Sequence, residues 1–435
     1  MHFRVTPAAL HDAELTVPGD KSISHRALML GSIATGRTTV SGFLAGEDCL
    51  ATRAAMEALG VRIEDAPSGE LLVEGVGLDG LRPPRAALDL GNSGTAMRLM
   101  TGLLAGQPFE TVLTGDESLR RRPMGRVIAP LTEMGADIAS QDGRPPLTIR
   151  GRPGLSGIDY ALPMASAQVK SAILLAGLYA SGSTRVCEPA ATRDHTERML
   201  LAMGAQPVIE GACVSLSAPR ELVGCDIEVP ADLSSAAFVM LGALLAEKAD
   251  VLIRNVGINP TRTGVITILQ QMGADLALEN PRKLGEEPVA DIRVRSSRLR
   301  GSEIGADLVS LAIDEFPVLF VAAAAAQGRS TFAGLGELRV KESDRIAAMA
   351  DGLRRLGIRV DETPDGASIE GGQFSGGEVA SYADHRVAMS LAMAGTIASG
   401  PVLIRDVDNV ETSFPGFVET VAQVGADIEC LEDAP

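Results

Sequence analysis

The stretch Pro18 to Leu30, PGDKSISHRALML, places Asp20, Lys21, Ser22, Ser24, His25 and Arg26 between a Pro-Gly turn and an apolar run. Pro-Gly stops a preceding strand, and Ser22 or Ser24 can cap a new helix by accepting its orphan backbone N–H bonds. Two cations and several hydroxyls then meet the positive end of a helix dipole, which suits a phosphate or carboxylate. An ordinary capped helix with solvated charges fits this stretch equally well when it is taken alone. The weight lies in how often the arrangement returns.

It returns at LGNSGTAMRLM (Leu90–Met100), where Gly91, Ser93 and Gly94 allow close backbone approach and Arg98 sits one turn into a helix. In GDESLRRRPMGR (Gly115–Arg126) four arginines fall within seven positions, and the Pro-Met-Gly turn can point guanidinium forks inward. PMASAQVKS (Pro163–Ser171) carries Ser166 and Gln168 beside a helix start. In TRDHTER (Thr192–Arg198), Thr192 or Asp194 can cap, Arg193 is a candidate anion ligand, and His195 reads as a hydrogen-bonded structural histidine. AIDEFPVL offers Asp314 and Glu315 ahead of Pro317, and LRVKESDRI crowds Lys341, Glu342 and Arg345 at a helix N-terminus. A carboxylate beside cations titrates readily, so Asp314 and Glu342 form a candidate acid/base pair. YADHRVAM opens another apolar helix with Asp384, His385 and Arg386. The ligand these motifs imply is a polyanion bearing phosphate and carboxylate. No metal-ligand spacing, Walker sequence or Ser-His-Asp hydrolase pattern is present, and no cofactor is expected.

The elements that position these residues repeat. A helical apolar segment, then a glycine, then a short strand recurs at Gly60, Gly135, Gly204, Gly273, Gly357 and Gly425, spaced 75, 69, 69, 84 and 68 residues apart. Each glycine suits the position just past a helix end, where left-handed backbone is nearly free only for Gly. Six αβ modules of this length predict globular domains rather than a solenoid, with three modules in each of two halves joined near Gly224–Pro230. Two such domains leave a cleft between them, where ligands usually sit. The G-x-G-x-x-G at Gly75–Gly80 runs into Pro83-Pro84, which cannot supply the helix of a dinucleotide fingerprint.

Composition narrows the partners. A net charge of −17 disfavours nucleic acid and acidic membranes, and no apolar run reaches the roughly 20 residues of a membrane span. Five dispersed cysteines read as reduced thiols of a cytoplasmic protein rather than as a disulfide framework. A monomer is expected, since no apolar stripe marks an interface.

Together GDKSISHRALML, LGNSGTAMR, RRPMGR, SAQVKSA, TRDHTE, DEFPVL, RVKESDR, DHRVAM and TSFPGF resemble the 5-enolpyruvylshikimate-3-phosphate (EPSP) synthase family, in the family's order and over essentially the whole chain. The resemblance implies a two-domain inside-out α/β barrel of six βαβαββ repeats, three per domain. Domain I would be 1–17 with 229–435 and domain II 18–228, with the active site in the cleft between them, closing on its substrates. It implies transfer of the enolpyruvyl group of phosphoenolpyruvate to the 5-hydroxyl of shikimate 3-phosphate, a step toward chorismate and the aromatic amino acids. Carried over by position, Lys21 would touch both substrates. Ser22, Arg26, Ser166, Gln168, Arg193, Asp314 and Lys341 would bind shikimate 3-phosphate. Gly94, Arg122, Gln168, Arg345 and Arg386 would bind phosphoenolpyruvate, and Lys21, Asp314 and Glu342 would be catalytic.

Two features bear on affinity. Thr412 stands where many members of the family carry Lys, and Gly94 is kept where glyphosate-insensitive members carry Ala. Other motifs look like the insensitive branch, so weak glyphosate sensitivity is expected. The alternatives are the sister UDP-N-acetylglucosamine enolpyruvyl transferases, which usually carry a reactive Cys in the loop corresponding to Arg120–Arg126, and a non-catalytic anion-binding repeat protein. The loop here has no Cys, and a binding module has no need of Asp314 and Glu342 among its cations.

Overall fold

In the computed structural model of the chain, which describes residues 1–219 and 221–432, the apolar runs behind the charged motifs become helices buried on nearly every side. Helices apolar all round belong inside a core rather than on its surface. The chain divides into two units. Gly19–Val229 with Leu284–Glu287 form the inserted unit; Met1–Pro18, Pro230–Lys283 and Pro288–Pro435 form the terminal unit. Each cut falls one residue later than the sequence reading placed it, and the short Leu284–Glu287 segment carries no local signal that would have assigned it.

The inserted unit contains α1 (Lys21–Ile33), α2 (Glu47–Ala58), α3 (Gly94–Ala105), α4 (Glu117–Arg121), α5 (Gly125–Glu133), α6 (Ala167–Gly177) and α7 (His195–Ala202). Its core gathers Leu28, Met29, Leu99, Leu103, Ile173 and Leu174 from α1, α3 and α6. Among the described residues three four-stranded sheets belong to it, each with a parallel pair at one edge and antiparallel neighbours beyond. The last strand, Asp226–Glu228, pairs with the first, Thr35–Ser41, so the end of this segment returns to its beginning.

The terminal unit contains α8 (Leu233–Leu245), α9 (Gly264–Gln271), α10 (Val309–Ala312), α11 (Phe316–Ala325), α12 (Arg345–Arg355), α13 (His385–Gly395) and α14 (Phe417–Ala422). Its core centres on α8, α11 and α13, with Phe238, Phe316, Phe320 and Leu391 fully enclosed. Among the described residues three more four-stranded sheets belong to it, and the N-terminal strand His2–Thr6 lies between Val402–Arg405 and Asp427–Leu431.

Local signals act as the residue types require. The six recurrent glycines all have φ between +87° and +96°, just beyond a helix end. Pro317 lies in the first turn of α11, where its missing N–H costs nothing. The segment after Gly75–Gly80 makes no helix before α3, as Pro83-Pro84 requires.

The cysteine expectation is corrected. Cys187 and Cys213 form a disulfide. They are directly opposed in the antiparallel pair Ser183–Cys187/Cys213–Ser217, a register that their spacing of 26 residues does not reveal. Among the described residues no helix is long and apolar enough to cross a membrane.

Candidate functional site

In the inserted unit the charged motifs meet at the N-termini of α1, α3 and α6. Asp20, not Ser22 or Ser24, caps α1: its carboxylate accepts the Ile23 N–H at 2.9 Å, while Ser24 Oγ accepts from Leu44. The aspartate, two residues before Ser22, is the better cap because it carries a full charge to the dipole. The helix therefore begins at Lys21, and Lys21 and Ser22 lie in its first turn. Lys21 Nζ is paired with Asp48. Ser93 caps α3 and Ser166 caps α6.

Arg26 is 3% exposed and donates to Thr196 Oγ1 (2.7 Å), Ser171 Oγ (2.7 Å) and the Ser22 carbonyl (2.9 Å). None of these acceptors is a carboxylate. Burial accordingly pushes its guanidinium down to about 10, only partly opposed by Glu197 nearby. A buried cation solvated by hydroxyls is a place for an anion.

Gln168 on α6 accepts from Arg98 at 2.5 Å and donates to Thr95 at 2.9 Å, which binds the starts of α3 and α6 together. Of the four arginines in the Arg120–Arg126 run, only Arg122 turns inward, at 6% exposure; the other three lie on the surface. Pro123 follows the end of α4 and leaves Arg122 reaching Asn92 Oδ1 at 2.6 Å. A Cβ built on Gly94 would stand 3.0 Å from Arg122 Nη1 and 3.2 Å from Arg98 Nη1, so two guanidinium groups crowd the only α3 position that has no side chain in its first turn. The sequence spacing marks Arg98 but assigns it to no ligand.

Arg193 lies in the irregular stretch before α7, half-buried. Neither Thr192 nor Asp194 caps α7: Asp194 holds Arg198 at 2.9 Å and Thr192 donates to Glu188. His195 is buried with Nδ1 2.7 Å from Glu287 Oε1, a structural contact.

The terminal unit builds a second cluster around Arg345, which is 1% exposed. Its guanidinium contacts Asp384 Oδ2 at 2.8 Å, Glu342 Oε2 at 2.5 Å and Asp314 Oδ1 at 3.3 Å. Burial pulls its pKa down, but Asp384, Glu342 and Asp314 outweigh that, and the net shift is upward. Lys341 Nζ also reaches Asp314 Oδ1 at 3.2 Å, and Arg386 donates to the Asp314 carbonyl at 3.1 Å. Asp344 caps α12 and Asp384 caps α13. Tyr382 and Ala383, immediately before Asp384, both have φ near +55°, a left-handed pair of non-glycine residues that delivers the carboxylate to Arg345.

Of the buried set behind this cluster, the AIDEFPVL motif offers Glu315, but no sequence motif offers Asp232, Ser234 or Arg262. Glu315 accepts from Ser234 Oγ and lies 3.7 Å from Arg262 and 3.8 Å from Arg386; Arg262 also meets Asp232 at 3.1 Å. Thr412 is buried and donates to the Asn409 carbonyl, so its hydroxyl is engaged within its own turn.

Each unit thus presents cations and carboxylates at converging helix starts, an arrangement suited to binding an anion and moving protons beside it. The sequence profile of EPSP synthase (3-phosphoshikimate 1-carboxyvinyltransferase) matches residues 5–421. The chain belongs to the EPSP synthase family. It is 58% identical over 428 residues, 98% of each chain, to the 3-phosphoshikimate 1-carboxyvinyltransferase of Methylococcus capsulatus. The corresponding protein of Alkalilimnicola ehrlichii is 58% identical over 427 residues, 98% of this chain and 96% of that one. A solved EPSP synthase structure from Acinetobacter baumannii superimposes with a TM-score of 0.87 at 53% identity, covering 99% of this chain and 100% of that one.

Proposed function

We propose that this chain transfers the enolpyruvyl group of phosphoenolpyruvate to the 5-hydroxyl of shikimate 3-phosphate and releases phosphate, on the route to chorismate and the aromatic amino acids. The observation that carries the proposal is the pairing of Asp314 and Glu342 on one buried guanidinium, Arg345, with Lys341 beside them.

The reaction is an addition followed by an elimination. The 5-oxygen attacks C2 of phosphoenolpyruvate while C3 takes a proton; then C3 gives that proton back, the C2–O bond to phosphate breaks, and the methylene re-forms. Asp314 receives the hydroxyl proton, and Glu342 shuttles the proton to and from C3. The cations stabilise the charge that shifts toward the departing phosphate. Lys21 contacts both substrates. Ser22, Arg26, Ser166, Gln168, Arg193 and Lys341 hold shikimate 3-phosphate, and Gly94, Arg122, Gln168, Arg345 and Arg386 hold phosphoenolpyruvate. A finer reading of the fold goes with this: six βαβαββ repeats, three to each unit, in the inside-out α/β barrel arrangement. The protein works as a cytoplasmic monomer.

The test is phosphate release from purified protein with both substrates and with each omitted. Release that requires both supports the reading; release that instead requires UDP-N-acetylglucosamine moves it to the sister transferases. Asp314→Ala should lower kcat by at least about a thousandfold while shikimate 3-phosphate still binds in calorimetry. Unchanged turnover in this variant would remove Asp314 from the mechanism.

A further inference from the structure

Of the five lysines in the chain, only Lys170 is buried, at 2% exposure, and nothing in the proposed reaction uses it. It lies on α6 between Gln168 and Ser171. Its ammonium meets Glu188 Oε2 at 2.8 Å and Glu197 Oε1 at 2.8 Å, and it lies 3.4 Å from the Thr192 carbonyl. Burial alone would depress this lysine, yet the charges of Glu197 and Glu188 outweigh it and hold its pKa above the usual value. It is a fixed cation.

The other oxygen of Glu188 accepts from Thr192 Oγ1. Thr192 is therefore gripped twice, at its hydroxyl by Glu188 and at its carbonyl by Lys170. No main-chain hydrogen bond among the described residues anchors Pro189 to Thr192, and this grip tethers the segment through its last residue. On the far side, Glu188 N still bonds the Ala212 carbonyl, and the Cys187–Cys213 bond ties down the strand end just before it. Arg193 leaves directly from the gripped residue. Three positions further on, Thr196 Oγ1 donates to Ser171 Oγ and accepts from Arg26.

We propose that Lys170, Glu188 and Thr192 form a positioning clamp that sets Arg193, and through it the recognition of shikimate 3-phosphate. The inference rests on the proposed function. None of the three touches a reacting atom; they act by holding a backbone whose side chain binds. A guanidinium on an untethered loop loses affinity because ordering the loop must then be taken from the binding energy. The clamp supplies that order beforehand, so its loss falls on one substrate and not on the other.

Thr192→Val is the informative variant, because it is isosteric, deletes one hydroxyl, and leaves both ion pairs of Lys170 in place. In the phosphate-release assay the KM for shikimate 3-phosphate should rise about tenfold, with kcat and the KM for phosphoenolpyruvate within about twofold of wild type. Thr192→Ser restores the hydroxyl and should return the KM for shikimate 3-phosphate to within about threefold. A KM for shikimate 3-phosphate unchanged in Thr192→Val overturns the clamp, as does an equal rise for both substrates or a serine variant as impaired as the valine one. The wild-type control separates the two ideas: if it releases phosphate from the pair and Thr192→Val is normal, only the clamp is wrong. If the wild type releases none, the proposed function and the clamp fall together.

Discussion

Arg26 in the inserted unit and Arg345 in the terminal unit are equally buried, yet their pKa values move in opposite directions. Arg26 is surrounded by hydroxyls and a carbonyl, and burial pulls it down to about 10. Arg345 is surrounded by Asp384, Glu342 and Asp314, and their combined charge raises it despite the same burial. The protein has already balanced one guanidinium and left the other short of negative charge. An unbalanced buried cation draws a substrate anion, whereas a saturated one holds carboxylates in place for proton transfer. Under the proposed function, this contrast would make Arg26 an anion-recruiting group, while Arg345, besides meeting phosphoenolpyruvate, would keep Asp314 and Glu342 in place for proton transfer.

Removing each arginine tests this contrast most severely. Arg345→Met removes the guanidinium shared by Asp384, Glu342 and Asp314, of which Asp314 keeps Lys341, and should cost about 3–5 kcal/mol of stability, with turnover lowered at least about a thousandfold. Arg26→Met deletes a charge that makes no direct ion pair among the described residues, with Glu197 only nearby, and its acceptors Thr196 and Ser171 bond each other at 2.8 Å. Its stability should stay within about 1 kcal/mol of wild type, while the KM for shikimate 3-phosphate rises about a hundredfold. Thermal unfolding and substrate kinetics on both variants decide the matter. Equal destabilisation of the two would erase the contrast.

His25 extends the rule to a group that can change state near neutral pH. Its Nδ1 lies 2.8 Å from Thr52 Oγ1 and its Nε2 lies 3.3 Å from Ser93 Oγ, again hydroxyls. Burial, reinforced by Lys21 and Arg26, holds it well below the usual 6.5. With a folded pKa below the unfolded one, the unfolded chain takes up the proton first as pH falls. This contribution to stability is therefore full above about pH 6.5 and declines below it, by up to about 1.4 kcal/mol per pH unit. Denaturant unfolding at a series of pH values should show a shallower fall for His25→Gln. Identical slopes would mean His25 is not the group responsible.

The smallest effect is expected at Gly94. A methyl there presses on the far ends of Arg122 and Arg98, which can yield, so Gly94→Ala should raise the KM for phosphoenolpyruvate about fivefold with kcat nearly unchanged. The parent chain, which keeps Gly94, is expected to be only weakly sensitive to glyphosate. An inhibition curve run against phosphoenolpyruvate measures this directly, and tight competitive inhibition would contradict it.

Much of the site was legible from residue types. Pro-Gly before Asp20, Ser93 before a helical apolar run, and Asp384 before another are local signals, and local hydrogen bonds obey them. The legibility ended where a choice depended on partners far along the chain. Ser22, Ser24 and Asp20 all have the chemistry of a cap, but Ser24 accepts from Leu44, 20 residues away, and Asp20 caps the helix. Four clustered arginines looked alike, and only Arg122 found Asn92, 30 residues away, to turn toward. Glu315 and Arg262 lie 53 positions apart and share no motif, yet they meet in one buried cluster.

What the amino-acid sequence determined by itself was the period of six glycine-terminated helices, the polar residues at helix starts, and the family to which those motifs belong. These follow from short-range rules: backbone freedom at glycine, capping of orphan N–H groups, and the exclusion of proline from helix interiors. Tertiary structure alone decided which cations acquire carboxylate neighbours and which do not, that Lys170 grips Thr192, and that Cys187 opposes Cys213. The reason is electrostatic and geometric. A buried charge is defined by what lies within a few ångströms of it, and those neighbours come from strands and helices tens of residues distant.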